Sequence, residues 1–198
     1  MITINDLWFA NLFTDQQAPE SWLKELAACA ERALRENPER ANPKLCDVGA
    51  KIVGPVVFGA GCIVGHGALI VGPAIFGDNC IIGHASEVTR SIFGNNAHAP
   101  HFNYVGDSVI GSNVNLGAGA KLANVRFDHQ PPRGQDQEKC GAILGDGVHI
   151  GCNAVLDPGV IISSGVWFAG AHLPACVNGD ASAHAYTRET IKKYFYGV

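Results

Sequence analysis

Apolar residues recur every six positions along most of the chain. Small or β-branched residues stand four places after many of these apolar anchors, as at Cys62, Ala68, Ala120 and Val160. A sustained period of six fits neither an α-helix nor a single β-strand. The pattern predicts a triangular coil, in which each hexad gives one short strand and one corner, and three hexads close a turn of 18 residues. The anchors are Ile52, Phe58, Val64, Ile70, Phe76, Ile82, Val88, Ile110, Leu116, Leu122, Leu144, Ile150, Leu156, Ile162 and Phe168.

The corners of this coil are also visible in the pattern. Glycine often follows the anchor, as in Phe58-Gly59 and Ile150-Gly151, and Gly or Asn tolerates the left-handed backbone that a sharp corner needs. Stacked coils pair as parallel strands about 4.8 Å apart. Each buried anchor contributes about 1.5–3 kcal/mol, and no coil is stable without its neighbours. We therefore predict an all-β fold, a single-stranded parallel β-helix.

The repeat breaks in two places. Between Val88 and Ile110 the register slips by one residue in each of two hexads, around Ser91 and Ser108. A polar stretch then interrupts the coil at 125–141, which predicts a loop expelled from a corner. Long loops on rigid scaffolds often carry function, and a floppy insertion is the alternative.

The two ends of the chain lack the repeat. Residues 1–42 are predicted to form a helical extension, with an amphipathic helix from Pro19 through Asn37. We expect this helix to cap the first coil and protect its open edge. The β-helix is assigned to 43–176, and 177–198 is predicted to be a tail with a short helix from Thr187 to Tyr196. The apolar face of the first helix is assigned to Leu23, Leu26, Ala27, Ala30 and Leu34.

Composition narrows the class of protein. The 198 residues include 24 glycines and only 16% charged residues, which argues against disorder and against an ordinary helical protein. The net charge of −4 and the lack of a basic run favour neither a nucleic-acid nor a membrane partner. No signal peptide or spanning segment is recognised.

The seven cysteines are scattered without a C-x-x-C pair, so neither a disulfide framework nor a zinc site is expected. This use of cysteine favours a reducing cytoplasm. Cys62 and Cys80 are 18 residues apart and should stack. Geometry allows a disulfide between them, whereas two buried thiols fit a reducing compartment better.

Three runs are more specific than the hexad pattern: HFNYVGDSVIGSNVNLGAG at 101–119, CGAILGDG at 140–147 and IGCNAVLDPG at 150–159. The first resembles the active-site coil of the acetyltransferase domain of bifunctional N-acetylglucosamine-1-phosphate uridyltransferases. All three resemble stand-alone β-helix proteins described as UDP-N-acetylglucosamine diphosphorylase-like or nucleotidyltransferase-like. The resemblance covers roughly residues 45–175. It implies a left-handed coil, a homotrimer, acetyl-CoA as co-substrate and a small sugar as acceptor.

The resemblance also implies roles for individual residues. His101 matches the general base that removes a proton from the sugar amine, and an imidazole titrates near neutrality. Tyr104 and Asn115 match positions close to the reacting sugar, while Asn124 and Lys139 match substrate contacts. Each has a structural alternative: a surface histidine at a corner, a corner asparagine or a solvated lysine.

Other positions depart from the family pattern. A phosphate-gripping arginine aligns with Val71, a second phosphate-contacting lysine with Thr89, and a tyrosine beside the sugar with Val125. Because charge-assisted bonds to phosphate are strong, these losses argue against glucosamine 1-phosphate as the substrate, although Arg90, Arg126 or Arg133 could substitute. The acceptor is left open among an amino sugar, a sugar phosphate and a nucleotide sugar. The resemblance assigns the CoA groove to Cys152, Ala169 and Gly170.

Residues 1–42 are too short to form a nucleotide-binding domain, so no uridyltransferase activity is expected. Two further functions compete with acyl transfer. One is a catalytically silent β-helix that assembles with a separate nucleotidyltransferase. The other is a γ-type carbonic anhydrase, which binds zinc through three histidines. Here His98 and His101 are three residues apart and His66 and His84 are 18 apart, which does not match that ligand pattern, so no metal is expected.

Overall fold

The computed structural model describes residue 2 and residues 7–14, 19–132, 136–169 and 172–173 of the chain. These residues form twenty short strands, β1–β20 in chain order, one α-helix and two 3-10 helices. The strands assemble into three parallel sheets of seven, seven and six strands, with every third strand in the same sheet. The predicted coil of three-sided turns is confirmed.

Each sheet forms one side of the coil, and the three sheets are called A, B and C here. Sheet A contains β1 (Leu45–Cys46), β4 (Ile63–Val64), β7 (Ile81–His84), β10 (His98–His101), β13 (Asn115–Leu116), β16 (His149–Ile150) and β19 (Trp167–Phe168). Sheet B contains β2 (Lys51–Val53), β5 (Leu69–Val71), β8 (Glu87–Thr89), β11 (Tyr104–Gly106), β14 (Lys121–Leu122), β17 (Val155–Leu156) and β20 (His172–Leu173). Sheet C contains β3 (Val56–Phe58), β6 (Ala74–Phe76), β9 (Ile92–Phe93), β12 (Val109–Ile110), β15 (Ile143–Leu144) and β18 (Ile161–Ile162).

The core follows the six-residue period. The anchors point into the coil and are buried, apart from Ile52, which is partly buried in the first described turns. Identical or similar side chains stack on one another along the axis. Phe58 and Phe76 lie with ring centroids 5.2 Å apart, and Phe76 and Phe93 with centroids 5.0 Å apart. Left-handed backbone occurs at the corners, but at Gly61, Asn79 and Asn113, three places after the anchor. The glycines that directly follow an anchor, such as Gly59, do not have a positive φ; they are needed because the next coil lies too close for a Cβ, which at Gly59 would come within 2.4 Å of the Gly77 backbone.

The register slips shorten the coil where the sequence predicts them. Phe76 pairs with Phe93 and Phe93 with Ile110, so these turns contain 17 residues rather than 18. Ser91 and Ser108 are buried at the two shortened corners between sheets B and C. The Ser91 hydroxyl donates to the Thr89 carbonyl at 2.8 Å and accepts from the Ser108 N–H at 3.1 Å. A buried hydroxyl therefore provides bonds that stabilise the tighter corner.

The N-terminal helix does not lie where the sequence analysis expects it. Helix α1 (Pro19–Glu36) packs across the outer face of sheet C, against β3, β6 and β12, rather than over the end of the first coil. The outward side chains of that sheet, including Val57 and Ile75, are apolar and are fully buried beneath it. Because sheet C is apolar on both faces, it requires a cover on the outside. The 3-10 helices Ala10–Leu12 and Pro38–Ala41 flank α1 along the chain.

The buried face of α1 also differs from the predicted one. Trp22, Leu26, Cys29, Ala30 and Ala33 are buried, whereas Ala27 is exposed. Leu23 and Leu34 are partly buried at the margins. Trp22, Leu26, Cys29 and Ala33 follow the i, i+4, i+7, i+11 spacing of one helix face, and this face, which carries the large Trp22 side chain, is the one that packs on the sheet. Phe9 and Phe13 complete this second core, with the Phe13 and Trp22 rings stacked at 5.0 Å.

The expelled loop lies between β14 and β15. Val125 and Lys139 form an antiparallel bridge at its base. Arg126 and Asp128 form a two-bonded ion pair at 2.9 and 2.7 Å, and Phe127 between them is fully exposed. The predicted C-terminal tail at 177–198, its helix from Thr187 to Tyr196, Gly170 and Arg133 lie outside the described residues.

Candidate functional site

The corner between sheets A and B carries a column of histidines. His101 is the last residue of β10 and pairs with His84 at the end of β7, and His66 occupies the same corner one turn earlier. All three side chains are exposed. The His66 and His84 rings stack with centroids 5.9 Å apart and planes 11° apart.

The hydrogen bonds of this column fix the tautomers of two rings. Nδ1 of His84 lies 2.9 Å from the His66 carbonyl oxygen, and Nδ1 of His66 contacts the Val48 carbonyl oxygen. Since a carbonyl oxygen can only accept, each of these two Nδ1 atoms carries a proton and donates it. Within the described part of the chain, no group hydrogen-bonds to the His101 ring.

Asn103 fixes the backbone that carries His101. Asn103 is only 2% exposed, and its Oδ1 accepts the His101 N–H at 3.0 Å. Its Nδ2 donates to the Gly117 carbonyl at 2.7 Å, and its own N–H donates to Ser86 Oγ at 3.1 Å. The His101 carbonyl accepts the Gly119 N–H at 2.9 Å. The imidazole therefore projects into solvent, while both backbone polar groups of His101 are fixed by hydrogen bonds, the N–H by Asn103 and the carbonyl by Gly119.

The turns that follow His101 carry small side chains at the same corner. The Gly119 N–H donates a hydrogen bond to the His101 carbonyl, and one turn later the Asn153 N–H donates to the Ala118 carbonyl. The neighbouring side chains there are Ala118 and Cys152, and Cys152 and Ala169 are exposed. The one large side chain described directly beside His101 is that of Phe102, which is exposed and packs edge-on against His84 on the side of the preceding turn. Of the predicted CoA-groove residues, Cys152 and Ala169 thus lie on the same edge as His101.

The corner between sheets B and C holds a polar network. Arg90 and Asp107 form a two-bonded ion pair, with Nε to Oδ1 at 2.6 Å and Nη2 to Oδ2 at 2.7 Å. The Asp107 Oδ2 also accepts Asn124 Nδ2 at 2.5 Å, and the Tyr104 hydroxyl donates to Asn124 Oδ1 at 3.2 Å. This pairing raises the pKa of Arg90 further above its ordinary value. Arg90 is 38% exposed and Asp107 9% exposed, so the network lies at the edge of the surface.

Two neighbours of this network have unusual environments. Thr89 is 8% exposed, and its hydroxyl is the one buried side-chain polar atom in the described residues that has no hydrogen-bond partner. Cys140 is buried beside the network, and burial, with a smaller effect of the Asp107 charge, raises its pKa to about 11. Its N–H donates to the Asn124 carbonyl at 2.9 Å.

The base of the expelled loop adjoins the same corner. Lys139 precedes Cys140 and bridges to Val125, and its side chain is exposed. His129 and Glu138 pair across the loop at 2.8 Å, and Lys24 of α1 pairs with Asp136 at 2.6 Å. These two contacts join the loop to itself and to the helix.

The structure thus divides the predicted site residues into three groups. Arg90 and Asn124 both bond to Asp107 at the corner between sheets B and C, and Lys139 adjoins this corner at the base of the loop. Tyr104, the first residue of β11, lies at the His101 end of that strand, and its hydroxyl reaches Asn124. His101 lies before β11, at the corner between sheets A and B. Asn115 faces outward on sheet A between His98 and His149, its partners in the two adjacent strands.

Sequence reasoning missed Asp107 and Asn103. Arg90, Asp107 and Asn124 are each 17 residues apart, which is the length of the shortened turn, so the register slips predict that they form a column. Asn103 occupies a position that small residues fill in other hexads. A polar side chain at such an inward position indicates that it serves to hold backbone groups.

The described residues contain neither a metal-ligand cluster nor a membrane-spanning helix. No three His, Cys, Asp or Glu side chains there are grouped closely enough to hold a metal ion. No helix in those ranges combines the length and the apolar character that crossing a bilayer requires.

Comparisons with known proteins identify the fold. No protein-family model matches the chain, and no curated protein matches it. Among solved structures, the acetyltransferase domain of PglB from Neisseria gonorrhoeae FA1090 is 20% identical, with 73% of this chain and 64% of that chain covered and a TM-score of 0.52. A protein from Desulfovibrio desulfuricans G20 that is named as an acetyltransferase is 19% identical, with 86% of this chain and 34% of that chain covered and a TM-score of 0.60.

These likenesses show that the chain shares the β-helix fold of both proteins. The chain spans less than two thirds of the length of either one. The finer resemblance to the bifunctional uridyltransferases stays a prediction from the sequence.

Proposed function

We propose that this chain is an acyl-CoA-dependent transferase that acetylates an amino sugar, with His101 as the general base. The observation that carries the proposal is the exposed imidazole of His101, on a corner that the buried Asn103 fixes. A general base must combine access to the acceptor with a fixed position. The names of the two structural neighbours point to the same chemistry.

In this reaction His101 has to accept one proton and return it. Acetyl-CoA, when bound, supplies the acetyl group as a thioester whose carbonyl carbon the acceptor amine attacks, with the CoA thiol as leaving group. As the N–C bond forms, a ring nitrogen of His101 takes the proton of the amine. The imidazolium then returns this proton to the leaving sulfur, and the ring is restored for the next turnover. A positioned base of this kind contributes about 10²–10⁴-fold to the rate.

The edge that follows His101 suits a slender co-substrate. Ala118, Cys152 and Ala169 line it with small side chains, and the latter two are exposed. An extended pantetheine arm can approach His101 over these small side chains along the coil axis, since the exposed Phe102 packs against His84 on the side of the preceding turn. Gly170, which the resemblance also assigns to this groove, is the next residue in the chain.

We place the site at the contact between subunits of a homotrimer. Helix α1 covers the outer face of sheet C, whereas sheets A and B are partly exposed on their outer faces. Packing sheet A of one protomer beside sheet B of the next leaves the His101 corner at the groove between them. Light scattering on the purified chain should then give three times the mass of one protomer.

A catalytically silent assembly module is the second candidate. It is favoured by the lack, within the described residues, of a hydrogen-bond partner that orients the His101 ring, since catalytic bases are commonly oriented by a third group. In that case the column of histidines would be a surface feature, and the protein would serve to bring other chains together.

The decisive experiment incubates the purified protein with acetyl-CoA and a panel of amines. The panel contains glucosamine, its 1-phosphate and 6-phosphate, and a nucleotide-linked amino sugar. The acetylated product is measured by mass spectrometry, because the seven cysteines of the chain interfere with thiol reagents. Amine-dependent product formation supports the transferase. No product with any amine, together with no calorimetric binding of acetyl-CoA, favours the silent module.

A further inference from the structure

We propose that Phe102 selects the acceptor of the acyl transfer, by packing its exposed ring against the apolar face of a cyclic amino sugar whose amine lies at His101. The inference rests on the proposed function, because His101 is taken to be the base. It assigns the acceptor to the side of His101 that faces the preceding turn, opposite the edge that Cys152 and Ala169 line with small side chains.

The first argument is the backbone conformation of Phe102. Its φ is 51°, in the left-handed region that bulky residues rarely adopt. The residues at the same corner of the neighbouring turns share the left-handed backbone, but they are small residues or asparagine. They are Gly67, Ala85, Gly119 and Asn153. A phenyl ring at this corner therefore carries strain that glycine would avoid, and such strain is concentrated at functional sites.

The second argument is that the ring of Phe102 is open to solvent. The residue is 57% exposed, although burial of an aromatic ring is favourable. It packs edge-on against His84, with 5.1 Å between the ring centroids and 80° between the ring planes. The His84 ring is in turn held by the bond from its Nδ1 to the His66 carbonyl oxygen. One side of the Phe102 ring is thus supported, while more than half of the residue stays accessible to a ligand.

The third argument is the short distance between Phe102 and the proposed base. The two residues are adjacent in the chain, so their Cα atoms lie about 3.8 Å apart, and both are exposed at the same corner. An amino sugar carries its amine directly on the ring. When the amine reaches His101, the sugar ring is therefore the part of the acceptor that lies beside Phe102, whereas a phosphate or a nucleotide would extend beyond it.

The chemistry of Phe102 fits a sugar ring seen from its face. A pyranose carries hydroxyl groups at its edge and C–H groups on its faces, so a face is apolar. Packing this face on the phenyl ring removes apolar area from water on both sides. An acyclic amine presents no such face, even when it carries the same hydroxyl groups. Phe102 therefore favours a cyclic acceptor over an acyclic one.

The test uses the full chain with glucosamine and with 2-amino-1,3-propanediol, an acyclic amine with two hydroxyl groups. Calorimetry in the presence of CoA gives the two dissociation constants without turnover, and we expect the wild type to bind glucosamine more tightly. Phe102→Gly should weaken glucosamine binding by about tenfold, as expected for the loss of one aromatic contact, and leave binding of the acyclic amine unchanged. In the acetyl-transfer assay the KM for glucosamine should rise equally, with the KM for acetyl-CoA unaltered.

Three further measurements separate this role from a structural one. Phe102→Gly should not lower Tm, because the backbone strain that it relieves offsets the lost contact with His84. Phe102→Tyr keeps the ring and should bind glucosamine as the wild type does. Ala85→Gly is the matched control, because Ala85 lies at the same corner one turn earlier with a φ of 50°. It should leave glucosamine binding unchanged.

Several outcomes would overturn the inference. These are a wild type that binds no glucosamine, unaltered glucosamine binding by Phe102→Gly, and an equal loss in Ala85→Gly. A Phe102→Gly protein with a lower mass in light scattering than the wild type would also overturn it, because Phe102 would then be a contact between subunits. The proposed function fails separately: if glucosamine binds as described but is never acetylated, the contact with Phe102 stands and the transferase does not.

Discussion

The carboxamide of Asn103 accepts the backbone N–H of His101 at 3.0 Å and so joins a buried side chain to an exposed imidazole. The same carboxamide donates to the Gly117 carbonyl at 2.7 Å, in the following turn of the coil. One side chain inside the coil thus fixes the position of the proposed base relative to the next coil.

Replacing Asn103 by Ala should destabilise the protein. The substitution leaves the His101 N–H without its partner and removes one of the two hydrogen bonds to the Gly117 carbonyl, which still accepts the Ala120 N–H at 3.1 Å. Since a buried polar group that loses its partner costs about 1–3 kcal/mol, we expect a loss of that size in the free energy of unfolding, measured with urea. Asn42→Ala is the control, because Asn42 is exposed, and it should change the value by less than about 0.5 kcal/mol. Equal effects of the two variants would contradict the role of Asn103.

Because successive coils stack closely, we expect a side chain at Gly83 to lower the stability of the protein strongly. A Cβ there would overlap the Pro100 carbonyl oxygen in the backbone of the next coil, which cannot move independently. Gly83→Ala should therefore cost about 3 kcal/mol. Gly165 has open space around it and a φ of 74°, so Gly165→Ala should cost only the backbone strain of about 1–2 kcal/mol. A smaller cost at Gly83 than at Gly165 would mean that the coils are packed less tightly.

Because helix α1 packs on sheet C through Trp22, we expect replacement of Trp22 to lower the free energy of unfolding strongly. Trp22 is fully buried between the helix and the sheet, and it stacks on Phe13. Trp22→Ala should cost about 3–5 kcal/mol in the free energy of unfolding. Leu45→Ala, at an exposed apolar residue of β1, should cost less than about 1 kcal/mol. If Trp22→Ala is as mild as this control, the helix contributes little to the fold.

Much of the coil could be predicted from the sequence, because its period is a direct consequence of the geometry. One inward side chain per hexad must be apolar, as at Phe58 and Phe76, and the pattern records this requirement. The shortened turns at Ser91 and Ser108 were predicted on the same basis. The left-handed direction of the coil stays a prediction from the resemblance.

The position of α1 could not be predicted in the same way. An amphipathic stripe shows that one face of a helix is buried, but it does not identify the surface that buries it. The apolar outward residues of sheet C, such as Val57 and Ile75, contained that information. The ion pair of Arg90 with Asp107 also depends on register: 17 residues separate them, whereas a regular turn has 18.

The raised pKa of Cys140 predicts a slow reaction of its thiol with alkylating reagents. Burial keeps the thiol protonated at pH 8, and the thiolate is the reactive form. Peptide mapping after brief treatment with iodoacetamide should show modification of the exposed Cys46 and Cys152 but not of Cys140. Modification of Cys140 at the rate of Cys152 would contradict its burial beside Asp107.

The same pKa sets a pH dependence of stability. An unfolded cysteine titrates near pH 8.5, while folded Cys140 holds its proton to about pH 11. Its contribution to stability is therefore complete below about pH 8.5 and is lost as the pH rises toward 11. Wild-type unfolding midpoints in urea should fall more steeply across this range than those of Cys140→Ala, with Cys152→Ala behaving like the wild type.

The most direct test of the proposed function is kcat for acetyl transfer in His101→Ala, with the best amine of the panel. We expect kcat to fall by about 10²–10⁴-fold while Tm stays unchanged, because the side chain is exposed and its backbone bonds survive. His66→Ala, in the same histidine column, should retain the wild-type kcat. A His101→Ala protein with undiminished kcat would contradict the assignment of His101 as the base.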